Sequence, residues 1–217
     1  MGWLSKALSG NLGQKLIMAL TGLFLISFLL EHLLSNLLLL KSDGADFNAY
    51  AEFMKTNPII QAAEYILFGG FIVHIIYAAI LTAKNKKARP QGYVYNNAAA
   101  NSGWFSRNMG LSGSMVLIFL IVHLKSFFVP HKITHSATVD IYTDAIETFQ
   151  NVPYTLFYVA AMVLLAFHLN HGFQSAFQTL GLRHPKYTPF IKKLGTAFAI
   201  LVPAGFAAIP LYICFIR

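Results

Sequence analysis

Five long stretches of this sequence carry almost no charge, and they leave it few ways to fold. They cover residues 16–40, 59–83, 109–129, 153–180 and 194–216, each matching or exceeding the roughly 20 apolar residues that cross a bilayer. Hydrophobic residues make up 56% of the chain and charged residues only 11%, where a soluble domain carries about 25%. A segment inside hydrocarbon must satisfy its own backbone groups, which a helix does. The short alternating strands of a membrane barrel are missing. The sequence therefore predicts an all-α, five-helix transmembrane bundle, a single integral membrane domain over 1–217. The first stretch follows Lys6 and Lys15 as a signal peptide would. It is too long for such a peptide's apolar region and lacks a small-residue cleavage pattern, so it reads as a retained helix. Cys214 is the only cysteine, which excludes an intrachain disulfide and a multi-cysteine metal cluster.

Charge predicts the orientation. With the N-terminus in the cytoplasm, the inner side receives Lys6, Lys15, Lys84, Lys86, Lys87, Arg89, Arg107, Arg183, Lys186, Lys192 and Lys193. The outer side receives Lys41, Lys55, Lys125, Lys132 and Arg217, so the C-terminus lies outside. Eleven basic residues against five is the asymmetry of the positive-inside rule. The formal charge of +8 lines one membrane face and brings no base-reading module, so nucleic acid is not an expected partner. Anionic lipid of the bilayer or a docked cytosolic protein fits it better. Between the first two spans, residues 46–55 have helical aromatic spacing, read either as a short interfacial helix or as an ordinary loop. Trp3, Leu4, Ala7 and Leu8 suggest a similar collar on the inner side. Residues 131–152 carry no chemical signature. His131 and His135 fall there, with surface exposure as the default for both.

Four histidines fall inside four successive spans: His32, His74, His123 and His168. Ionisable groups at that depth are costly and face a protein interior or a cofactor. The first and third spans run outward and carry His32 and His123 late, in the outer half. The second and fourth run inward and carry His74 and His168 in the inner half. This gives one outer pair and one inner pair, each able to clamp a flat metal ring, and imidazole is an axial ligand of haem iron. Structural zinc instead gathers four ligands at one point. A proton-relay transporter is a weaker alternative, since Glu31 and Glu64 also lie within spans but no paired broken helices accompany them.

Gly22 precedes His32 by ten residues, and Gly113 precedes His123 by the same interval. Ten residues are about 15 Å of helix, which brings both glycines to the inner histidine level. There they would leave room for a ring, or serve small-residue helix packing. Gly172, one turn from His168, could do the same. His171 is the alternative ligand to His168, which is favoured. Pro203 and Pro210 are expected to bend the histidine-free fifth span, which reads as a packing wall.

Three strings, in order across the chain, resemble the cytochrome b558 membrane-anchor subunit of succinate dehydrogenases and fumarate reductases. They are ALTGLFLISFLLEHLLSNL in the first span, SRNMGLSGSMVLIFLIVHL in the third and FHLNHGFQSAFQTLG in the fourth. The resemblance implies a four-helix dihaem core with two b-type haems, the inner on His74 and His168, the outer on His32 and His123. The family's spacing to the terminal glycine, here Gly181, selects His168 over His171. The resemblance further implies a multi-pass protein of the bacterial cytoplasmic membrane. Its expected partners are an iron–sulfur subunit and, through it, an FAD-containing flavoprotein that oxidises succinate. Electrons would pass through the haems to membrane quinone, most often menaquinone. The chain would then be a required subunit rather than the catalyst of succinate oxidation. Where one branch of the family has a proton-carrying glutamate, this chain has Ala166. Arg107 reads as a partner of an inner-haem carboxylate or as a boundary charge reaching for lipid headgroups, and Lys15, Lys192 and Lys193 share that ambiguity. Lys125 is a candidate partner of the outer haem. His171 is a candidate contact to a haem carboxylate or quinone, and His184 and Tyr187 a candidate face for quinone or the iron–sulfur partner.

Overall fold

The computed structural model describes residues 2, 10–88 and 104–217. The collar residues Trp3, Leu4, Ala7 and Leu8, and the basic residues Lys6 and Arg89, lie outside them. Five helices are long and apolar enough to cross a membrane. They are α1 (Asn11–Asn36, continued by a 3₁₀ turn Leu37–Leu40), α3 (Pro58–Lys87), α4 (Met109–His123, continued by a π-helical stretch Leu124–Ile133), α6 (Val152–Thr179) and α7 (Thr188–Phe215). Two shorter helices, α2 (Ala45–Thr56) and α5 (Ile141–Gln150), follow α1 and the π-helical stretch. The protein is thus a polytopic helical membrane bundle. Ile66, Ile76, Ile118, Ile200 and Leu201 are all exposed on it, as lipid-facing residues are and as a soluble surface of this extent is not.

Helix starts and stops are written locally. α3 and α6 open on Asn57 and Asn151, each followed at once or one residue later by proline. The Asn57 side chain accepts from the Ile59 and Ile60 amides at 2.9 and 3.3 Å, and Asn151 accepts from the Tyr154 amide at 3.0 Å. Both satisfy amides that the first turn leaves unpaired, and proline costs nothing there. Lys84, Lys86 and Lys87 fall in the last turn of α3, where cations complement the helix dipole. α6 stops at Gly181, in the left-handed region at φ 74°. The Leu182 amide donates back to the Phe177 carbonyl at 3.1 Å and the Gly181 amide to that of Gln178 at 3.2 Å, a paired closure that favours glycine.

The tightest packing joins α6 to α7 through small residues. Ala199 is 1% exposed, and a Cβ on Gly195 would stand 2.5 Å from the Phe173 ring. Between helices of equal apolarity to lipid, such close approach supplies the dispersion contacts that hold the bundle. Pro203 and Pro210 are buried within α7, and the helix runs through both. The fifth span is more than a wall, since Phe206 stands 5.7 Å from the His32 ring. α3, by contrast, has no buried residue. Its neighbours are chiefly α1 and α2.

The short helices form a cap at the end where α1 finishes and α7 ends, so the helical reading of residues 46–55 is the one that holds. The segment after 131 has an architecture that its composition hid. Asp140 caps α5, accepting from the Tyr142 and Thr143 amides, both at 3.1 Å, and from the Asn48 amide of α2 at 2.7 Å. The Arg217 guanidinium donates to the Ser42 carbonyl at 2.6 Å and to the Tyr142 hydroxyl. His135 is exposed, but His131 is half-buried, its Nε2 2.8 Å from Asp144; burial against α5 corrects the default of surface exposure. The hydrogen bond from Asn48, then those from Thr143, hold the Asp140 carboxyl below its ordinary range. With the folded-state value below the unfolded one, this support is complete above the ordinary carboxylate value and disappears as pH falls through the lower one. Amide exchange in α5 should accelerate as pH falls through the folded value, after correction for intrinsic rates. In Asp140→Asn, which keeps a capping oxygen, that acceleration should vanish.

Candidate functional site: two histidine levels

Alternating direction of the spans brings the four histidines together in pairs. The ring centres of His32 (α1) and His123 (α4) lie 5.8 Å apart, and those of His74 (α3) and His168 (α6) lie 6.4 Å apart. The rings within each pair are steeply inclined, at 83° and 70°. The pairing is the one predicted from helix direction alone. His168, not His171, faces His74.

The two glycines lie where the ten-residue interval puts them. A Cβ on Gly22 would meet His74 Cε1 at 3.5 Å, and one on Gly113 would meet His168 Cε1 at the same distance. Those are ordinary contacts, so the histidines alone do not require glycine at either place. The interval also separates the two levels by about 15 Å along the helices.

Each histidine has its own surroundings. His74 Nδ1 lies 3.2 Å from Thr21 Oγ1, whose own hydrogen goes to the Ile17 carbonyl at 2.8 Å. His123 Nδ1 lies 3.2 Å from the Tyr158 hydroxyl. That hydroxyl lies 3.2 Å from Tyr154, whose own hydroxyl is hydrogen-bonded to Ser126 Oγ at 2.7 Å. Phe119 stacks on His123 at 5.7 Å and meets Tyr158 edge-on at 4.8 Å, fixing both rings. The Asn36 amide donates to the His32 carbonyl at 2.7 Å and stands 3.3 Å from Nδ1, while Phe28 stacks on that ring at 5.1 Å. His168 Nδ1 is buried, with no hydrogen-bond partner among the described residues. Nothing in the sequence marks Tyr158 or Asn36 as a partner of a histidine, and Thr21 is marked only by its place beside Gly22.

A cavity of about 2600 Å³ is lined by all four paired histidines, by Gly22 and Gly113, and mostly by apolar side chains between the levels. Pockets for one small ligand run to about 300–1,000 Å³, so this space could take more than one. At the end where α1 starts, its lining turns polar, with Lys15, Lys86, Ser106, His171, Arg183 and Lys192. Arg107 is exposed beside Ser106 and does not line it. Lys125 is exposed and also outside the lining, which removes its reading as an outer-level partner; its position after His123 turns it off the histidine face. His184 and Tyr187 lie against each other, ring centres 5.4 Å apart and inclined at 38°, away from the cavity. Glu31 accepts from the Tyr50 hydroxyl, and Glu64 pairs with Lys132 at 3.1 Å. Among the described residues, no three His, Cys, Asp or Glu side chains gather into a metal-sized cluster.

Comparison with models of known families, with curated proteins and with solved structures gives no match to any of them. Fold and site define the class: a multi-pass membrane-helix bundle with paired intramembrane histidines, an architecture compatible with a redox role.

Proposed function

We propose that this chain is a dihaem cytochrome b, the membrane anchor of a succinate:quinone oxidoreductase of the cytochrome b558 type. The observation that carries the reading is the pairing of four histidines from four spans at two levels. A metal binds imidazole nitrogen at about 2.0–2.1 Å, so two imidazoles on opposite sides of one metal have ring centres roughly 6 Å apart. The ring separations of 5.8 and 6.4 Å fit that arrangement. The side-chain-free surfaces of Gly22 and Gly113, beside the rings of His74 and His168, fit a site with room for a flat ring. The donor set of two neutral imidazoles per level suits b-type haem.

In this reading His74 and His168 hold one haem, and His32 and His123 the other. Bound there, the haems supply one-electron exchange. The protein excludes water with the apolar lining, holds the imidazoles and tunes them through their hydrogen bonds. The polar mouth and the basic α3 terminus would meet an iron–sulfur subunit, which connects to an FAD-containing flavoprotein. Membrane quinone, menaquinone by the family's habit, completes the path. The resemblance and the basic asymmetry together support a bacterial cytoplasmic-membrane location with the N-terminus inside.

The test is to purify the assembly in mild detergent and add succinate anaerobically. Reduction of b-type haem, with iron–sulfur and flavin subunits present in the same peak, is the expected result. Haem reduced only by dithionite, with other subunits attached, would reassign the chain to a different respiratory dehydrogenase.

A further inference from the structure

We infer that Thr21 is a positioning residue that fixes which nitrogen of His74 is free for a metal. The inference rests on the dihaem reading but concerns a residue for which that reading has no role. The Thr21 hydroxyl hydrogen is committed to the Ile17 carbonyl, at 2.8 Å, one turn back in α1. The hydroxyl also lies 3.2 Å from the Met18 carbonyl, so both carbonyls of the preceding turn draw the hydrogen back into α1. With the hydrogen turned there, the oxygen accepts from His74 Nδ1, 3.2 Å away, and the lone pair of the imidazole falls on Nε2. No other histidine faces an oxygen whose hydrogen is drawn away in this manner. The Tyr158–Tyr154–Ser126 chain at His123 can run in either direction, because each hydroxyl can both give and take a hydrogen. The Asn36 amide at His32 is a donor, and His168 Nδ1 has no partner among the described residues.

Two consequences follow. An acceptor on Nδ1–H raises the basicity of the ligating nitrogen, and losing such a partner lowers metal affinity by about 10–100-fold. The more basic nitrogen also favours ferric over ferrous iron, so its loss raises the reduction potential. The effect belongs to the His74–His168 level alone, since Thr21 sits against that level and about three turns from His32.

The experiment compares Thr21→Val, which keeps the shape and removes the hydroxyl, with Thr21→Ser, which restores it. Both are made in the intact complex and followed by redox titration of the haem spectrum and by haem retention on dilution. In Thr21→Val, the component that His74→Ala eliminates should shift to higher potential and be lost more readily, while the other stays in place. A tenfold weaker hold on the ferric than the ferrous form would read as about 59 mV. Thr21→Ser should return both measures towards the unsubstituted protein. Two haems whose potentials and retention ignore Thr21→Val would overturn the inference and leave the dihaem reading standing, as would a shift confined to the other haem. Absence of haem from the unsubstituted complex would overturn both.

Discussion

His123→Ala is expected to yield a complex with one haem, and His74→Ala a complex with the other. Reduced-minus-oxidised absorbance should fall to about half in each, because an iron that loses one of two axial imidazoles is held by a single side chain. The retained spectra should differ, since the levels differ in their surroundings: stacked Phe119 and the Tyr158 hydroxyl at one, Thr21 and two glycines at the other. His32→Ala should reproduce His123→Ala, and His168→Ala should reproduce His74→Ala. His171→Ala should keep both haems, as His168 is the residue across from His74. Thermal midpoints in detergent separate haem loss from misfolding, and His171→Ala gives the baseline for emptying a half-buried site on the same helix. Loss of the same haem from His123→Ala and His74→Ala would contradict the pairing.

The second large effect concerns the cap. Gly44 has φ 70°, and a Cβ there would stand 2.3 Å from the Tyr142 ring. That ring has little freedom to yield. Its hydroxyl donates to the Lys41 carbonyl at 2.7 Å and receives Arg217, and the Phe47 ring is tilted against it with centres 6.4 Å apart. Gly181 has nearly the same backbone, φ 74°, and none of the described residues stands where its Cβ would go. Gly181→Ala should therefore cost only the left-handed penalty of about 1–2 kcal/mol. Gly44→Ala should add an overlap with a buried ring, a class of change costing about 1–3 kcal/mol by itself. Thermal unfolding in one detergent should rank Gly44→Ala clearly below Gly181→Ala, with the greatest gain of amide exchange in α2 and α5. Equal midpoints would mean that the ring moves freely and that the cap is looser than its contacts imply.

The spans were legible because a bilayer imposes one requirement that composition reports directly. Their ends were less so. The apolar pattern ends the third span at residue 129, but the helix passes Pro130 to Ile133 by loosening into π-helical turns, which a rule about proline as a breaker does not anticipate. α5 was missed because its signal is short: the Asp140 cap and an apolar face, Tyr142, Ala145 and Phe149, that is buried only because α2, α7 and Arg217 come to meet it. The histidine pairs were legible because helix direction fixes depth, and the glycines because rise per residue does. Thr21, Tyr158 and Asn36 were not, since hydroxyl and amide side chains gain a role only from the ring that another helix places beside them. Glu31 and Glu64, ambiguous in sequence, are tied to Tyr50 and Lys132 across helix boundaries. Burial, then the Glu31 hydrogen bond, raises the Tyr50 phenol to about 12.

The proposed redox role depends on the paired histidines holding iron porphyrin. Haem extracted from the purified, intact complex and divided by the amount of this polypeptide is the direct measure. The ratio should be two, with each haem showing the low-spin signature of two axial imidazoles. A ratio of zero in a complex that retains its other subunits would contradict it.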